Sequence, residues 1–526
     1  IVGPDPRNTG RAPSWHHALM QLIAATILLY SVLVISAAEI LWPIELFVLI
    51  AILLLAGATR TERVLRALLA LALTGIALLG LADFGTGLAF ARPFNLIADW
   101  HFAQGIWLLL KGSAGIPLAV IGLSAVALVL AALILGIWWS LAQWARCGAG
   151  TRANWIAAAM LVPGAGLIAA DFKDYAPVSV EAGARIAQTL AADEALEAFI
   201  VQAKQDPVED IGPVLTALDG RDLIIIYIES YGRASFSNPR YRGAHTKTLQ
   251  AIEEQLGASG LGMRSAFLQA PTAGGQSWLT HGSVASGLWL SDQSRYQAML
   301  ESGRQTLFDY AAGAGYRTVA VKPAHILAWP EGEVLGFEVI YNAEDLGYAG
   351  PALNWVTMPD QFTLAAFERL EYNRAGRPPI LAEISLISSH APWVPVPDML
   401  AWEAVDDGTV YSRFMEGSPT PAEIWRDPER VRAQYTKAIE YSLQAVGSWV
   451  ARHADNPPVV LLMGDHQPLP FVAESDVFDV PVHLIGPAPV VERLAGSDWH
   501  SGLTPGADSP VIGAERLRDW LLRGSF

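Results

Sequence analysis

The sequence predicts an α-helical membrane domain of five helices, joined to an α/β domain built on a central, mostly parallel sheet. Three observations carry that expectation. The chain is too apolar for a soluble protein of its size, at 52% hydrophobic and 16% charged residues. Its charge is split, with residues 1–170 at +3 and the remainder at −19. Beyond residue 219, short apolar runs alternate with stretches of helical spacing.

The membrane domain comes first. Apolar segments occupy 19–40, 44–58, 64–82, 116–139 and 155–170. About 20 apolar residues cross a bilayer, and runs so close together with almost no internal charge do not suit a soluble bundle. The second segment follows the first after a short break, so the first reads as an anchor rather than a cleaved leader. Arg7, Arg11, Arg60, Arg63, Arg66, Arg146 and Arg152 fall on one side of these segments, and only Arg92 and Lys111 on the other. Basic loops stay in the cytoplasm, so the N-terminus is expected inside and everything after Asp171 outside. Trp42, Trp100, Trp107, Trp138, Trp139 and Trp155 stand near segment ends, as an interfacial belt would. Residues 84–114 are expected to connect two segments along the outer membrane surface.

The expected division is 1–171 for the membrane domain, 172–218 for a helical tether and 219–526 for an extracytoplasmic domain. The acidic surface of that last domain excludes nucleic acid as a partner. The lone Cys147 allows no disulfide within the chain.

Strand-like runs lie at 223–228, 318–321, 380–387, 459–463 and 480–485. Three of them end in polar clusters: Glu229-Ser230, Ser388-Ser389-His390 and Gly464-Asp465-His466. Open α/β sheets bind ligands at the carboxyl ends of their strands. The stretch 271–288, PTAGGQSWLTHGSVASGL, adds a Gly-Gly turn that places Ser277 at a predicted helix N-cap. Backbone N–H groups and the positive end of the dipole converge there. Taken singly, each residue has a plain structural reading: a capping Ser277, a salt-bridged Glu229, a turn with a surface His466, a loop His390. Taken together, Glu229, Asp465, His466 and the Ser277 hydroxyl offer three oxygens and one nitrogen. That set suits one Zn²⁺ or Mn²⁺. Such an ion lowers the pKa of a coordinated hydroxyl and makes it a nucleophile at neutral pH.

The order IYIES, GGQSWLTHGSVASGL, SLISSHAPW, LLMGDHQP resembles the sulfatase-like branch of the alkaline phosphatase superfamily. Within that branch it is most similar to membrane-anchored phosphoglycerol and phosphoethanolamine transferases, the lipoteichoic acid synthases among them. The resemblance implies that Glu229, Ser277, Asp465 and His466 hold the metal and that Ser277 is the nucleophile. It implies that His390 contacts the transferred phosphoryl group or protonates the leaving group, that Trp329 walls the head-group pocket, and that Lys322 and His325 contact phosphate. It further implies a phospholipid donor, a glycan or lipid acceptor, and a bacterial inner membrane protein with a periplasmic catalytic domain.

Two departures stand out. These transferases usually place Thr where Ser277 stands, which keeps nearby Thr272 and Thr280 as alternatives. The cysteine-rich pattern of many phosphoethanolamine transferases is missing, which favours phosphoglycerol. Ser277 is followed by Trp-Leu-Thr-His rather than the x-Pro-x-Arg of true sulfatases, so sulfatase activity is not expected. Two other readings stay open: a phosphodiesterase or phosphatase that uses water on the same site, and a non-catalytic membrane sensor or scaffold.

Overall fold

The computed structural model describes residues 15–35, 44–56, 59–90, 92–96, 99, 102–148, 150–161 and 177–524. They form two compact units, 1–87 with 92–194 and 88–91 with 195–526.

The first unit holds α1 (Trp15–Ile35), α2 (Ile44–Ala56), α3 (Arg60–Phe90) and α4 (Phe102–Cys147). Residues 151–161 are also helical. The helices pack through Leu29, Val32, Leu46, Leu53, Leu73, Ile137 and Leu141. Meanwhile Leu71 and Leu128 are 73% and 71% exposed. Large apolar side chains on the outside mark a surface made for lipid. Three helices are long and apolar enough to cross a membrane, at His16–Leu33, Arg60–Phe90 and Ile116–Cys147, and Glu45–Ala56 is a shorter apolar helix. The expected fifth segment is described only as far as residue 161, and 162–170 lie outside the described residues. The unit therefore supplies three to five apolar helices.

Much of the expected connection at 84–114 is helical, because α3 continues to Phe90 and α4 starts at Phe102 and runs on through Pro117. A helix pairs its backbone N–H and C=O groups internally, which an irregular apolar segment at a membrane does not.

The second unit is a sheet of nine strands. They are β1 (Leu223–Ile228), β2 (Leu261–Gln269), β3 (Arg317–Lys322), β4 (Val339–Asn342), β5 (Ile380–Leu386), β6 (Val459–Gly464), β7 (Asp479–Pro487), β8 (His500–Ser501) and β9 (Val511–Gly513). Their order is β4-β3-β5-β1-β6-β7-β2-β8, with β9 beside β2. The strands β4, β3, β5, β1 and β6 run parallel, and β7 turns the sheet antiparallel. The five expected runs became β1, β3, β5, β6 and β7. The sequence hid β2 because Gly262 and Arg264 interrupt its apolar pattern, and β4 because it is only four residues long.

The central strand β1 is buried on both sides, which explains its unbroken LIIIYI. Ile224, Ile226 and Ile228 face one core, with Leu249 from the helix Pro239–Ala258 and Tyr435 and Trp449 from Pro428–Arg452. Leu223, Ile225 and Tyr227 face the other, with Leu279 and Val284 from the helix Ser277–Ser286 and Trp520 from Arg516–Arg523. The alternation is the two-residue period of a strand.

Register then decides what stands together at the sheet edge. Ile228 is level with Leu386 of β5 and with Gly464 of β6. The residues that follow β1 and β6, Glu229 and Asp465, therefore leave the sheet side by side.

Candidate active site

Glu229, Asp465 and His466 meet at that edge, with one ligand atom from each within 4.8 Å of the others. His466 Nε2 lies 3.0 Å from Glu229 Oε1 and 3.8 Å from Asp465 Oδ1. The Asp465 carboxylate is oriented by the backbone, its Oδ1 accepting from the N–H of Ser230 at 2.8 Å and of His466 at 2.7 Å. His466 Nδ1 lies 2.8 Å from the Gln467 carbonyl. A proton held on Nδ1 for that carbonyl leaves Nε2 as the lone-pair nitrogen facing the carboxylates. Gly464 permits this geometry, because a Cβ there would stand 1.8 Å from the Tyr231 carbonyl oxygen.

The electrostatics show what the cluster lacks. Burial raises Asp465 well above the usual carboxylate range, and the charge of Glu229 pushes it the same way. Burial works against the charge on His466 as well, but Asp465 and Glu229 outweigh it and push the imidazole up to about 9. Burial opposes ionisation of Glu229 too, and the facing His466 nevertheless holds its carboxyl well below the ordinary value. Two carboxylates and an imidazole are gathered here around one shared positive charge. His466 Nε2 is buried and satisfies no hydrogen bond, although Glu229 approaches it. An orphaned ligand nitrogen beside two carboxylates fits a divalent cation.

Ser277 reaches the same place from the side. Gly274, Gly275 and Gln276 all take positive φ, at 72°, 152° and 63°. The turn is laced to the end of β6. The Gly274 N–H donates to the Gln467 carbonyl at 2.8 Å, and the Thr280 hydroxyl donates to the Asp465 carbonyl at 2.6 Å. The helix begins at Ser277 itself, so Ser277 is its first residue and not the expected N-cap, which is Gln276 in the left-handed region. Three hydroxyls compete for attention in this stretch, and their bonding separates them. Thr272 donates to the Gly275 carbonyl at 2.8 Å and Thr280 to Asp465. The Ser277 hydroxyl makes no hydrogen bond among the described residues, and Ser277 lines a cavity of about 120 Å³ together with Glu229 and Asp465.

Residues 221–474 match the sequence model of the family described as Sulfatase. The match covers just under half of the chain. No curated protein matches the chain. Among solved structures, the lipoteichoic acid synthase LtaP from Listeria monocytogenes is similar at 16% identity and a TM-score of 0.39, covering 61% of this chain and 75% of LtaP. The periplasmic domain of EptC from Escherichia coli, in complex with Zn, is similar at 14% identity and a TM-score of 0.38, covering 57% of this chain and 80% of that one. The Streptococcus pyogenes phosphoglycerol transferase GacH, in complex with sn-glycerol-1-phosphate, is similar at 13% identity and a TM-score of 0.38, covering 63% and 80%.

The cavity has a second polar wall. Lys322, His325 and Trp329 all line it, and the Lys322 ammonium lies 5.2 Å from the centre of the Trp329 ring. Lys322 is not an open cation, because its Nζ is ion-paired with Glu383 and bonds Ser385 Oγ at 3.1 Å. Burial disfavours the Glu383 charge, yet Lys322 and His281 hold its carboxyl down to about 2. His281 Nδ1 stands 3.1 Å from Glu383, and the imidazole stacks on Tyr227 at 3.8 Å between ring centres. His325 is lowered to about 4 by burial and by the Lys322 charge. His390 is exposed and is not among the cavity-lining residues, though its charge reaches Glu229.

Sequence reasoning passed over Tyr227, His281 and Glu383. Two signals were available. His281 lies four residues after Ser277, which puts both on one helix face. Glu383 is the one charge inside an apolar strand, and such a charge is almost never buried without a partner.

Proposed function

We propose that this chain is a membrane-anchored, metal-dependent transferase that moves a phospholipid head group, phosphoglycerol, to a hydroxyl on a glycan or lipid outside the cytoplasm. The observation that carries the reading is the meeting of Glu229, Asp465 and His466 beside a serine whose hydroxyl has no partner among the described residues. A divalent cation held by these residues would supply a Lewis acid that lowers the serine pKa and neutralises phosphoryl charge. Ser277 attacks phosphorus, and the ester bond to diacylglycerol breaks. The serine proton leaves with the departing alcohol, and the head group stays on Ser277 as a phosphodiester. The acceptor hydroxyl then displaces Ser277, which regains its proton. Ser277 opens a helix of ten residues, so its positive dipole end faces the charge that develops.

In this reading residues 1–171 anchor the enzyme, 172–218 tether it and 219–526 carry out the chemistry. His390 is exposed and its charge reaches Glu229, and in this reading it serves the leaving group. A lipid donor also suits the loop between His325 and Trp329, because Ile326 and Leu327 are each 70% exposed there. Replacing both with Asp should slow head-group release from phosphatidylglycerol vesicles by about tenfold or more, the equivalent of ~1.4 kcal/mol of lost lipid contact. Turnover of a short soluble phosphodiester should be retained. Equal losses on both substrates would remove the loop from lipid recognition.

Metal binding should depend on pH with a defined sign. In the metal-free site the His466 pKa is raised to about 9, so the imidazole carries a proton at neutral pH that an ion must displace. Affinity for Mn²⁺ should therefore rise about tenfold per unit between pH 6 and 8 and flatten above 9. Calorimetry in buffers of different ionisation enthalpy would count the released proton. Binding without proton release would contradict the site. The test of the function itself is diacylglycerol release from phosphatidylglycerol by the full chain in nanodiscs. Release is expected with Mn²⁺ or Zn²⁺ and not with chelator, and release that chelator leaves unchanged would refute a metal-dependent reaction.

A further inference from the structure

The cavity holds two buried polar atoms that the proposed chemistry does not use. The Tyr227 hydroxyl and His281 Nε2 are each buried without a hydrogen-bond partner among the described residues, and both residues line the cavity beside Ser277. Tyr227 is 1% exposed. Their rings are stacked 15° from parallel, so the two unpaired atoms belong to one patch. Leaving a buried polar group unpaired costs stability, and a protein that keeps two in one cavity has a use for them.

We infer that Tyr227 and His281 form a hydroxyl-reading subsite, which selects a polyol head group over an ammonium head group. This rests on the transferase reading and adds to it the residues that set donor specificity. The chemistry of the wall supports it in three ways. A phenol and a neutral imidazole nitrogen together offer one donor and one acceptor, which match the donor and acceptor of an alcohol. An ammonium group only donates, and it needs an anion or an open aromatic face. Glu383, behind this wall, is already neutralised by Lys322, and Glu229 and Asp465, the carboxylates that line the cavity, are given to the metal in the proposed reading. The Trp329 ring, which would otherwise cradle a cation, already has the Lys322 ammonium over it. A second positive charge would meet Lys322 with nothing left to balance it.

The placement comes from register. On β5 and β1, Tyr227 is level with Ser385 and Ile225 with Glu383, so Tyr227 and Glu383 share a sheet face. The helix Ser277–Ser286 covers that face, and His281 descends from it onto Tyr227 and Glu383. The nucleophile and the specificity residue are thus one helical turn apart.

Calorimetric titration tests the inference without turnover. The full chain, loaded with Mn²⁺, is titrated with glycerol phosphate, phosphoethanolamine and inorganic phosphate. Glycerol phosphate should bind about tenfold or more tighter than phosphoethanolamine, and the difference should vanish in Tyr227→Phe, with inorganic phosphate affinity kept. The melting temperature of Tyr227→Phe should be unchanged or higher, since the substitution removes an unpaired buried hydroxyl; a merely structural tyrosine would melt lower. His281→Asn should lose the preference too. Equal affinities in the wild type, a preference for phosphoethanolamine, or a preference that survives both substitutions would overturn the subsite. The transferase reading fails separately, if Ser277→Ala still releases diacylglycerol.

Discussion

Replacing Ser277 with Ala is expected to lower diacylglycerol release from phosphatidylglycerol by about 10⁴–10⁶-fold, the usual cost of removing a catalytic nucleophile. Metal content should change far less, because Asp465 and His466 keep their backbone hydrogen bonds without the serine. Thr272→Ala and Thr280→Ala serve as the contrast. Both hydroxyls are committed to backbone carbonyls of the turn and the β6 end. Their loss should cost about 1–3 kcal/mol of stability by leaving a buried carbonyl unpaired, with activity surviving in the folded fraction. A Ser277→Ala enzyme within tenfold of the wild type, beside an inactive but folded Thr272→Ala, would move the nucleophile to Thr272.

The second large effect is on stability. Glu383→Gln should destabilise the domain by about 3–5 kcal/mol, because it leaves the Lys322 ammonium buried and unpaired. The side chains of Lys322 and Glu383 are 5% and 4% exposed, so water cannot take over the partner's role. A thermal melt of the solubilised chain should fall by roughly 5 °C or more. Replacing both residues together, Lys322→Met with Glu383→Leu, should recover much of the loss, since no isolated charge remains. The linkage has a defined sign. The Glu383 pKa is depressed to about 2 in the fold, so its stabilisation is complete above the unfolded value near 4.3 and is lost as pH falls through about 2. A melt of Glu383→Gln within about 1 °C of the wild type would mean that the pair contributes no net stability.

Much of this molecule was legible because strand ends are legible. Each apolar run that stops at a polar cluster marks the carboxyl edge of a strand, and β1, β5 and β6 were all found that way. The meeting of Glu229 and Asp465 follows once β1 and β6 are neighbours, and an α/β alternation makes that a fair expectation. The start of the helix at Ser277 was misjudged by one position. Gln276 takes the left-handed conformation that a pattern reader assigns to glycine, and the cap moves with it.

What stayed hidden is what register alone creates. Lys322 was noticed as a candidate cation, but nothing in its own segment says that Glu383, from a strand read as plain core, would neutralise it. Tyr227 looked like one more large residue in LIIIYI. Its role depends on which face it takes and on which helix covers that face. In the membrane unit, composition gave the apolar segments but not their ends, because residues 102–147 continue as helix through Pro117.

The central claim is that Ser277 carries the head group as a covalent intermediate. Its most direct test is the intact mass of the full chain after incubation with phosphatidylglycerol and Mn²⁺, wild type beside Ser277→Ala. The account predicts a wild-type adduct with the mass of glycerol phosphate less water, prevented by chelator and missing from Ser277→Ala. An adduct of the same mass on Ser277→Ala would contradict it, and so would diacylglycerol release with no adduct on the trapped wild-type enzyme.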